Sequence, residues 1–423
     1  MVNTVLAPVQ KRGQANLEKL GLPTRRQEAW RLTDLKRLKA MASLPHVAGA
    51  DQSSWPSVDQ GVTRLVIGTD SDPLEGIQLP EGVSPLSEAE LEQALGHTLD
   101  RCGCAEVWPV ELNHAHSRRV LALRVRGSVA PLEIVLAAGD GLIATRVLLL
   151  LEEKAELDLL QVIPAERDNA AAPLAHSHVI EVHLGQEARL RHGLLASASG
   201  DTSLLAHLAV EQEPRSSYDF VSVCRGWRFG RLEPRVLQVD GQATTRLNGL
   251  AMTGGDEQFA THTGVCFQGP EGSLDQLQKA VAADRSHSIF NGAIQVPRAA
   301  QRTDASQLSR NLLLSSQARV DAKPELEIVA DDVRCAHGAT VSQLQQDQLF
   351  YLRSRGVAAD EAAALLLKGY CCDVVDRLPS VAPSWLASSA VKDPARPLWP
   401  HLPVSLASRW PTALGPRFRC WLR

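Results

Sequence analysis

The stretch Asp331-Asp-Val-Arg-Cys-Ala-His-Gly-Ala-Thr340 places a cysteine thiol and a histidine imidazole two residues apart. Residues i and i+2 of a β-strand point to the same face, so an extended segment would project Cys335 and His337 side by side. Thiolate and neutral imidazole are both ligands for iron, zinc and copper(I). Two ligands do not complete a metal site, so the remaining ligands would come from a partner chain or a labile species.

A helix is predicted directly after this stretch. Ser342-Gln-Leu-Gln345 has the spacing of a capping box, in which a serine and a glutamine satisfy each other's backbone donors. The helix would carry Leu349 and Tyr351 and would end at Gly356, because glycine tolerates the left-handed conformation that follows many helices.

A second helix is predicted from about Ala359 to Leu378. Acidic residues occupy its first turn, where the helix dipole favours anions. An apolar stripe recurs every four residues; its members are Leu366, Tyr370, Val374 and Leu378. Such a helix pair would cap the open end of a solenoid.

Upstream, residues 107–341 contain short apolar runs separated by Gly, Asp, Asn and Ser. The runs are Val120–Val125, Leu132–Leu136, Val147–Leu151, Leu157–Val162, Val179–Leu184, Leu190–Leu195, Leu204–Val210, Arg235–Val239 and Leu326–Val329. Little sequence remains between them for helices, which argues against a doubly wound α/β sheet. A β-sandwich and a β-solenoid both fit, and the many unequal runs slightly favour the solenoid.

Three further pairs have spacings that could bind a metal. His114-Ala-His116 and His176-Ser-His178 would each place two imidazoles on one strand face, and Cys102-Gly-Cys104 would supply two thiols. A tetrahedral site needs more ligands than any one pair provides. We therefore expect hydrogen-bonded histidines and an ordinary loop here rather than metal sites.

Several segments together resemble the SufB/SufD family of iron–sulfur cluster assembly proteins. They are Leu22–Leu35, Asp284–Gly292, Lys323–Ile328, Asp331–Thr340 and Asp347–Gly356 with the helix that follows. Cys335-Ala-His337-Gly338 is the form typical of the SufD branch, since SufB usually carries Glu at the position of Gly338. In the second segment we expect Asn291-Gly292 to supply a turn.

The resemblance implies a mainly β fold, with a right-handed parallel β-helix core flanked by helical regions at both ends. The expected divisions are a mostly helical region over 1–106, the β-helix core over 107–341 and a partner-docking helical region over 342–378. Residues 379–423 are rich in Pro, Trp and Arg and match no family pattern, so we expect a poorly ordered tail.

The resemblance also implies an assembly scaffold. The chain would pair with a SufB-like paralogue and dock a SufC-like ATPase through Leu349, Tyr351, Leu366, Tyr370, Val374 and Leu378. A nascent iron–sulfur cluster would form at the SufB–SufD interface, with His337 as an iron ligand and Cys335 as a weaker candidate. The isolated chain would hold no cluster stably and could form a homodimer.

Composition narrows the alternatives. A formal net charge of −4 and a pI of about 6.4 give no electrostatic reason to expect nucleic acid or an anionic membrane as a partner. Neither a signal peptide nor a bilayer-spanning run is visible, so we expect a cytoplasmic or stromal protein. The eight cysteines should be mostly free thiols in such a compartment.

Two alternative functions remain open. The sequence contains no GxxxxGK[ST] motif, so we do not expect the chain itself to be the ATPase. A β-helix lyase or hydrolase would need clustered carboxylates, and the adjacent Asp331 and Asp332 would point to opposite strand faces. A purely structural β-helix without metal chemistry is the second alternative, and a non-catalytic scaffold is the prediction.

Overall fold

The computed structural model describes residues 3–50, 55–104, 106–166, 172–379, 381 and 384–385. The N-terminal elements are α1 (Asn3–Leu20), a 3-10 helix (Glu28–Trp30), α2 (Leu35–Ala42), β1 (Thr63–Ile67), β2 (Val83–Pro85), α3 (Glu88–Ala94), α4 (His97–Arg101) and α5 (Trp108–His116). The C-terminal helices are α6 (Gln346–Ser354) and α7 (Ala359–Val375). No helix within these described ranges has both the length and the apolar character needed to cross a bilayer.

The strands between these helices wind into a parallel solenoid of about eight turns. They are β3 (Val120–Val125), β4 (Leu132–Leu136), β5 (Gly141–Leu151), β6 (Glu156–Ala165), β7 (Leu174–Leu184), β8 (Arg189–Ala198), β9 (Thr202–Gln212), β10 (Ser217–Arg225), β11 (Phe229–Gln238), β12 (Thr244–Thr253), β13 (Gln258–Phe267), β14 (Ser273–Ala282), β15 (His287–Val296), β16 (Asp304–Leu313), β17 (Arg319–Ile328) and β18 (Arg334–Gln343). The predicted β-solenoid with helices at both ends is confirmed.

Consecutive strands alternate between two sheets, so each turn adds one strand to each sheet. Sheet 1 has the order β1-β4-β6-β8-β10-β12-β14-β16-β18. Sheet 2 has the order β17-β15-β13-β11-β9-β7-β5-β3-β2, in which only β2 pairs antiparallel. The sheets face each other across an apolar interior, where Leu159 and Leu190 of sheet 1 and Ile180 and Leu208 of sheet 2 are fully buried.

The N-terminal helices cover part of the outer face of sheet 2. The Asn113 side chain of α5 donates hydrogen bonds to the backbone oxygens of Thr145 (3.0 Å) and Ser177 (2.8 Å). The buried Glu181 carboxylate of β7 accepts from the backbone N–H of Gly96 at the start of α4. Because both faces of the strands are covered here, the sequence shows continuous apolar runs rather than strict alternation.

The two histidine pairs differ from each other. His114 and His116 lie in α5, so the strand spacing that we predicted for this pair is wrong. His176 and His178 do lie in a strand, β7, and both are buried. His178 is hydrogen-bonded through its two ring nitrogens to Thr145 Oγ1 and Gln161 Nε2. Neither ring nitrogen of His176 has a hydrogen-bond partner within the described residues, so the expectation of hydrogen-bonded histidines fails for His176.

Helix α7 lies along the outer face of sheet 1 and not over the end of the solenoid, so the predicted capping role is wrong for this helix. Leu367, Cys371 and Val374 are fully buried in an apolar cluster with residues of the even-numbered strands β4 to β16. Lys279 of β14 connects sheet 1 to this helix. Its Nζ donates to the Tyr370 backbone oxygen (2.7 Å) and to an Asp373 carboxylate oxygen (2.6 Å).

Two local predictions fail because strands extend further than expected. Ser342 lies in β18 and donates to the Asn311 backbone oxygen, so it opens no capping box; α6 starts after Gln345 without a side-chain cap. Asn291-Gly292 lies within β15, and the chain turns earlier, at Asp284, whose φ is +53°. Gly292 leaves room for the Gln307 side chain, since a Cβ there would lie 2.3 Å from Gln307 Nε2 and that side chain would have to move.

The beginning of the expected tail is ordered. Pro379, Val381 and Trp385 are buried, and Trp385 packs beside Trp55 with ring centroids 6.5 Å apart. The prediction of disorder is therefore wrong at these positions. Apart from Ser384, the rest of 379–423 lies outside the described residues.

Candidate functional site

The C-terminal end of the solenoid leaves two strand edges open. Within the described residues, β17 ends sheet 2 and β18 ends sheet 1, and each pairs with only one neighbour in its sheet. The other edge of each strand carries backbone N–H and C=O groups without a ladder partner. Such edges are templates for pairing with another chain.

Exposed apolar side chains surround these edges. Ile328, Val329 (57 % exposed) and Val341 lie on or beside the last two strands. Phe350 (73 % exposed) and Tyr351 follow on α6, a helix without any buried residue. Clustered apolar exposure of this kind marks protein interaction surfaces.

Cys335 and His337 occupy the same open end. Strand β18 is extended over both residues, and their ladder partners on β16 are Ala305 and Gln307. The side chains of these partners are buried in the solenoid interior. Cys335 is half-buried against the interior core, whereas His337 is exposed because no further turn covers it.

The two candidate ligands differ in chemistry. Burial, followed by the nearby Asp304 carboxylate, raises the pKa of the Cys335 thiol. Its thiolate, the form that binds metal, is therefore scarce at neutral pH. In the described part of the chain, no third His, Cys, Asp or Glu joins this pair in a three-ligand group. The exposed imidazole of His337 is the better donor, and it needs ligands from outside the chain.

A buried polar chain lies beneath His337. Gln307 Nε2 donates to Gln276 Oε1 (2.9 Å), and Gln276 Nε2 donates to Thr263 Oγ1 (2.8 Å). Gln307 Oε1 is buried without a hydrogen-bond partner among the described residues. Gln307 is the ladder neighbour of His337 on the adjacent turn, and its Oε1 makes no hydrogen bond to the imidazole.

The structure divides the predicted docking residues into two groups. Leu349, Tyr351 and Leu366 are at least partly exposed. Val374 and Leu378 are buried against the outer face of sheet 1. Tyr370 also faces this sheet: its hydroxyl donates to the Arg310 backbone oxygen (2.6 Å), and Lys279 Nζ lies 4.2 Å from its ring centroid. The second group therefore contacts the chain's own solenoid.

Sequence reasoning missed four residues of this surface, namely Ile328, Val329, Val341 and Phe350. Each belongs to a segment that was recognised, but the three aliphatic residues lie in or beside strands, where an apolar residue is normally assigned to the core. These residues could have been assigned to the surface if the last turn of the solenoid had been located. The point where the strand pattern ends and α6 begins indicates that position.

Comparison with known proteins identifies the family. The model for the SUF system FeS cluster assembly SufBD core domain matches residues 134–370. An iron–sulfur cluster assembly SufBD family protein of Synechocystis is 30% identical over 395 residues, covering 88% of this chain and 87% of the relative. The chloroplastic protein ABCI7 of Arabidopsis thaliana is 33% identical over 236 residues, which are 56% of this chain and 49% of that protein.

A relative from Escherichia coli carries a more specific name. Its iron–sulfur cluster assembly protein SufD is 38% identical over 142 residues, which are 33% of this chain and 34% of that protein. The core-domain match includes most of the solenoid strands, and the Synechocystis relative covers most of the chain. The chain belongs to the SufBD family of iron–sulfur cluster assembly proteins.

Proposed function

We propose that this chain is the SufD-like component of an iron–sulfur cluster assembly complex. It pairs with a SufB-like paralogue through the open end of its solenoid, and a nascent cluster forms at that boundary. It also docks a SufC-like ATPase through its C-terminal helices. The observation that carries the proposal is the open C-terminal turn, which combines two free strand edges, exposed aliphatic side chains and His337.

The open end has the features of a pairing surface. A partner strand added to the free edge of β17 or β18 would satisfy backbone groups that now face solvent. Burial of Ile328, Val329 and Val341 would add roughly 25 cal/mol for each Å² of apolar surface removed from water. A second copy of this chain offers the same edges, so the isolated protein could pair with itself in the same way.

His337 supplies a metal donor at this boundary. The cluster is cargo, and at this end the described residues offer too few ligands to retain it. Pairing would bring partner residues next to the exposed imidazole and so complete a ligand set. Cys335 contributes less, because its thiol is half-buried and its raised pKa favours the protonated form.

The two C-terminal helices have different roles in docking. Phe350 and Tyr351 on α6, together with Leu349 and Leu366, present the accessible surface for the ATPase. Tyr370, Val374 and Leu378 hold α7 against sheet 1 and so fix the position of that surface. A movement of the ATPase would be passed to the solenoid through these contacts between α7 and sheet 1.

The experiment is anaerobic purification of the chain with its SufB-like and SufC-like partners, followed by iron and sulfide assays. His337→Ala should lower cluster content at least tenfold while the complex stays intact. Thr340→Ala is the matched control, since Thr340 lies on the opposite face of the same strand. Wild-type cluster content in the His337→Ala complex would overturn the site and favour a purely structural role.

A further inference from the structure

A second group of metal-binding side chains lies on the flank of the solenoid, away from the open end. His183 of β7 and Glu211 of β9 are ladder neighbours on the outer face of sheet 2. Glu213 follows two residues later, just beyond the end of β9. The donor atoms of these three side chains all lie within 4.8 Å of one another.

Glu211 has an unusual environment for a carboxylate. Its side chain is 5 % exposed, and Arg101 Nε of α4 lies 3.2 Å from Oε1. The other oxygen, Oε2, is buried and accepts no hydrogen bond within the described residues. It faces two imidazole nitrogens at longer range, His183 Nδ1 at 3.7 Å and His97 Nε2 at 3.9 Å.

Three basic or imidazole side chains, Arg101, His183 and His97, surround the Glu211 carboxylate within 4 Å. A buried anionic oxygen without a donor is costly unless a cation pairs with it. Arg101 pairs with Oε1, whereas the nitrogens within 4 Å of Oε2 belong to the imidazoles of His183 and His97.

We propose that His183, Glu211 and Glu213 bind a divalent transition-metal ion. One imidazole and two carboxylates suit Zn²⁺, Fe²⁺ or Mn²⁺ and disfavour Ca²⁺ and Mg²⁺, which prefer oxygen ligands alone. Metal–ligand bonds of about 2.1 Å place donor atoms up to roughly 4 Å apart, so small rotations of the partly exposed His183 and Glu213 close the site. His97 lies outside this group of three, with its Nε2 3.9 Å from Glu211 Oε2, and would have to move closer to serve as a fourth ligand.

The ion would also connect two parts of the molecule. Arg101 and His97 belong to α4, whereas His183 and Glu211 belong to sheet 2. Arg101 holds Glu211 as an outer-shell partner holds a metal ligand. Metal binding would therefore stabilise the contact between the N-terminal helices and the solenoid, independently of any role of His337.

The test is titration of metal-free, full-length protein with Zn²⁺ in excess Mg²⁺, and with Fe²⁺ under anaerobic conditions. We expect one ion per chain and a higher Tm with Zn²⁺. Glu211→Gln should abolish binding, and His183→Ala and Glu213→Gln should each weaken it at least tenfold. These last two side chains are partly exposed, so both variants should fold.

His337→Ala is the control for the other candidate ligand and should bind as the wild type does. His97→Ala should weaken binding less than His183→Ala. Absence of stoichiometric binding by the wild type, or wild-type binding by both His183→Ala and Glu213→Gln, would overturn the proposal. Loss of binding in His337→Ala would place the ion at the open end and overturn it equally.

Discussion

Strand β7 lies in the middle of sheet 2 and strand β18 lies at the end of sheet 1, and their surroundings are opposite. β7 lies between β5 and β9, and all but one of its side chains are buried. β18 pairs only with β16 within the described residues, and eight of its ten residues are exposed. The difference lies in the presence or absence of a neighbouring turn and a covering helix.

The covered middle and the open end of the same solenoid have different properties. The covered middle can hold polar groups out of water, and it does so with neutral histidines and with the fully buried Arg146–Glu181 pair. The open end exposes apolar side chains that any further turn would have covered. A surface of that kind is suited to a partner whose strands continue the sheets.

The largest expected effect is acid destabilisation of the covered middle. Burial lowers the pKa of His176 to about 4 and of His178 and His192 to about 3. Between about pH 6.5 and pH 3 the unfolded chain therefore binds more protons, so stability is complete above pH 6.5 and is lost as pH falls. Each pKa unit corresponds to about 1.4 kcal/mol, so several kcal/mol should disappear.

Urea unfolding from pH 7.5 to 5 is the measurement, because most carboxylates barely titrate in that range. Glu257 opposes the trend, since burial raises its pKa to about 7, but the buried histidines outnumber it. An unfolding free energy that stays constant from pH 7.5 to 5 would contradict the prediction. His178→Gln should reduce the slope.

The next effect concerns the open end. A double variant, Ile328→Asp and Val341→Asp, places charges on the exposed last turn. Binding to the SufB-like partner should weaken at least a hundredfold, because burying unpaired carboxylates is unfavourable, while Tm stays within a few degrees. Val58→Asp is the control, since Val58 is exposed but lies in the N-terminal region. Equal loss of binding in both variants, or in neither, would remove the open end from the interface.

The sequence supports the solenoid strongly and its boundaries less well. The apolar runs and the segment around Cys335 and His337 identify the strands. The path of α7 depends on Lys279 and Gly193, the latter leaving room for Pro379 beside sheet 1, and no local pattern shows this. To deduce from the sequence that His183 pairs with Glu211, one must know how many residues one turn of the solenoid contains.

That length varies along the chain. Tyr218 pairs with Thr245 after 27 residues, whereas Ala305 pairs with Cys335 after 30. Corner segments of unequal length therefore hide the repeat, and contacts between neighbouring turns could not be deduced from spacing. The exposure of the last turn could not be predicted from the sequence either. A strand has the same composition whether or not another turn follows it.

A third effect contrasts the two C-terminal helices. Leu367→Ala should cost about 2–5 kcal/mol, because Leu367 is fully buried between α7 and sheet 1. Phe350→Ala should change stability by less than about 0.5 kcal/mol, because Phe350 is mostly exposed on α6. Phe350→Ala should nevertheless reduce binding of the SufC-like ATPase at least tenfold. Chemical denaturation and co-purification measure both quantities, and undiminished ATPase binding by Phe350→Ala would exclude α6 as the docking surface.

The smallest expected effect tests whether the covered interior influences the open end. Gln307 is buried beneath His337, and its free Oε1 is the acceptor nearest in register to that imidazole. We expect this oxygen to accept a hydrogen bond from His337 when a partner covers the strand, and Gln307→Met keeps the approximate shape but removes the acceptor. Cluster content of the anaerobic complex should fall a few-fold, less than with His337→Ala, since outer-shell partners tune a ligand without replacing it.

Gln276→Met is the matched control for this last variant. It breaks the same interior hydrogen-bond chain one turn further from His337, so its stability loss should match while cluster content stays near the wild-type level. Equal cluster loss in both variants would assign the effect to interior packing. An unchanged cluster content in Gln307→Met would show that His337 acts without support from the solenoid beneath it.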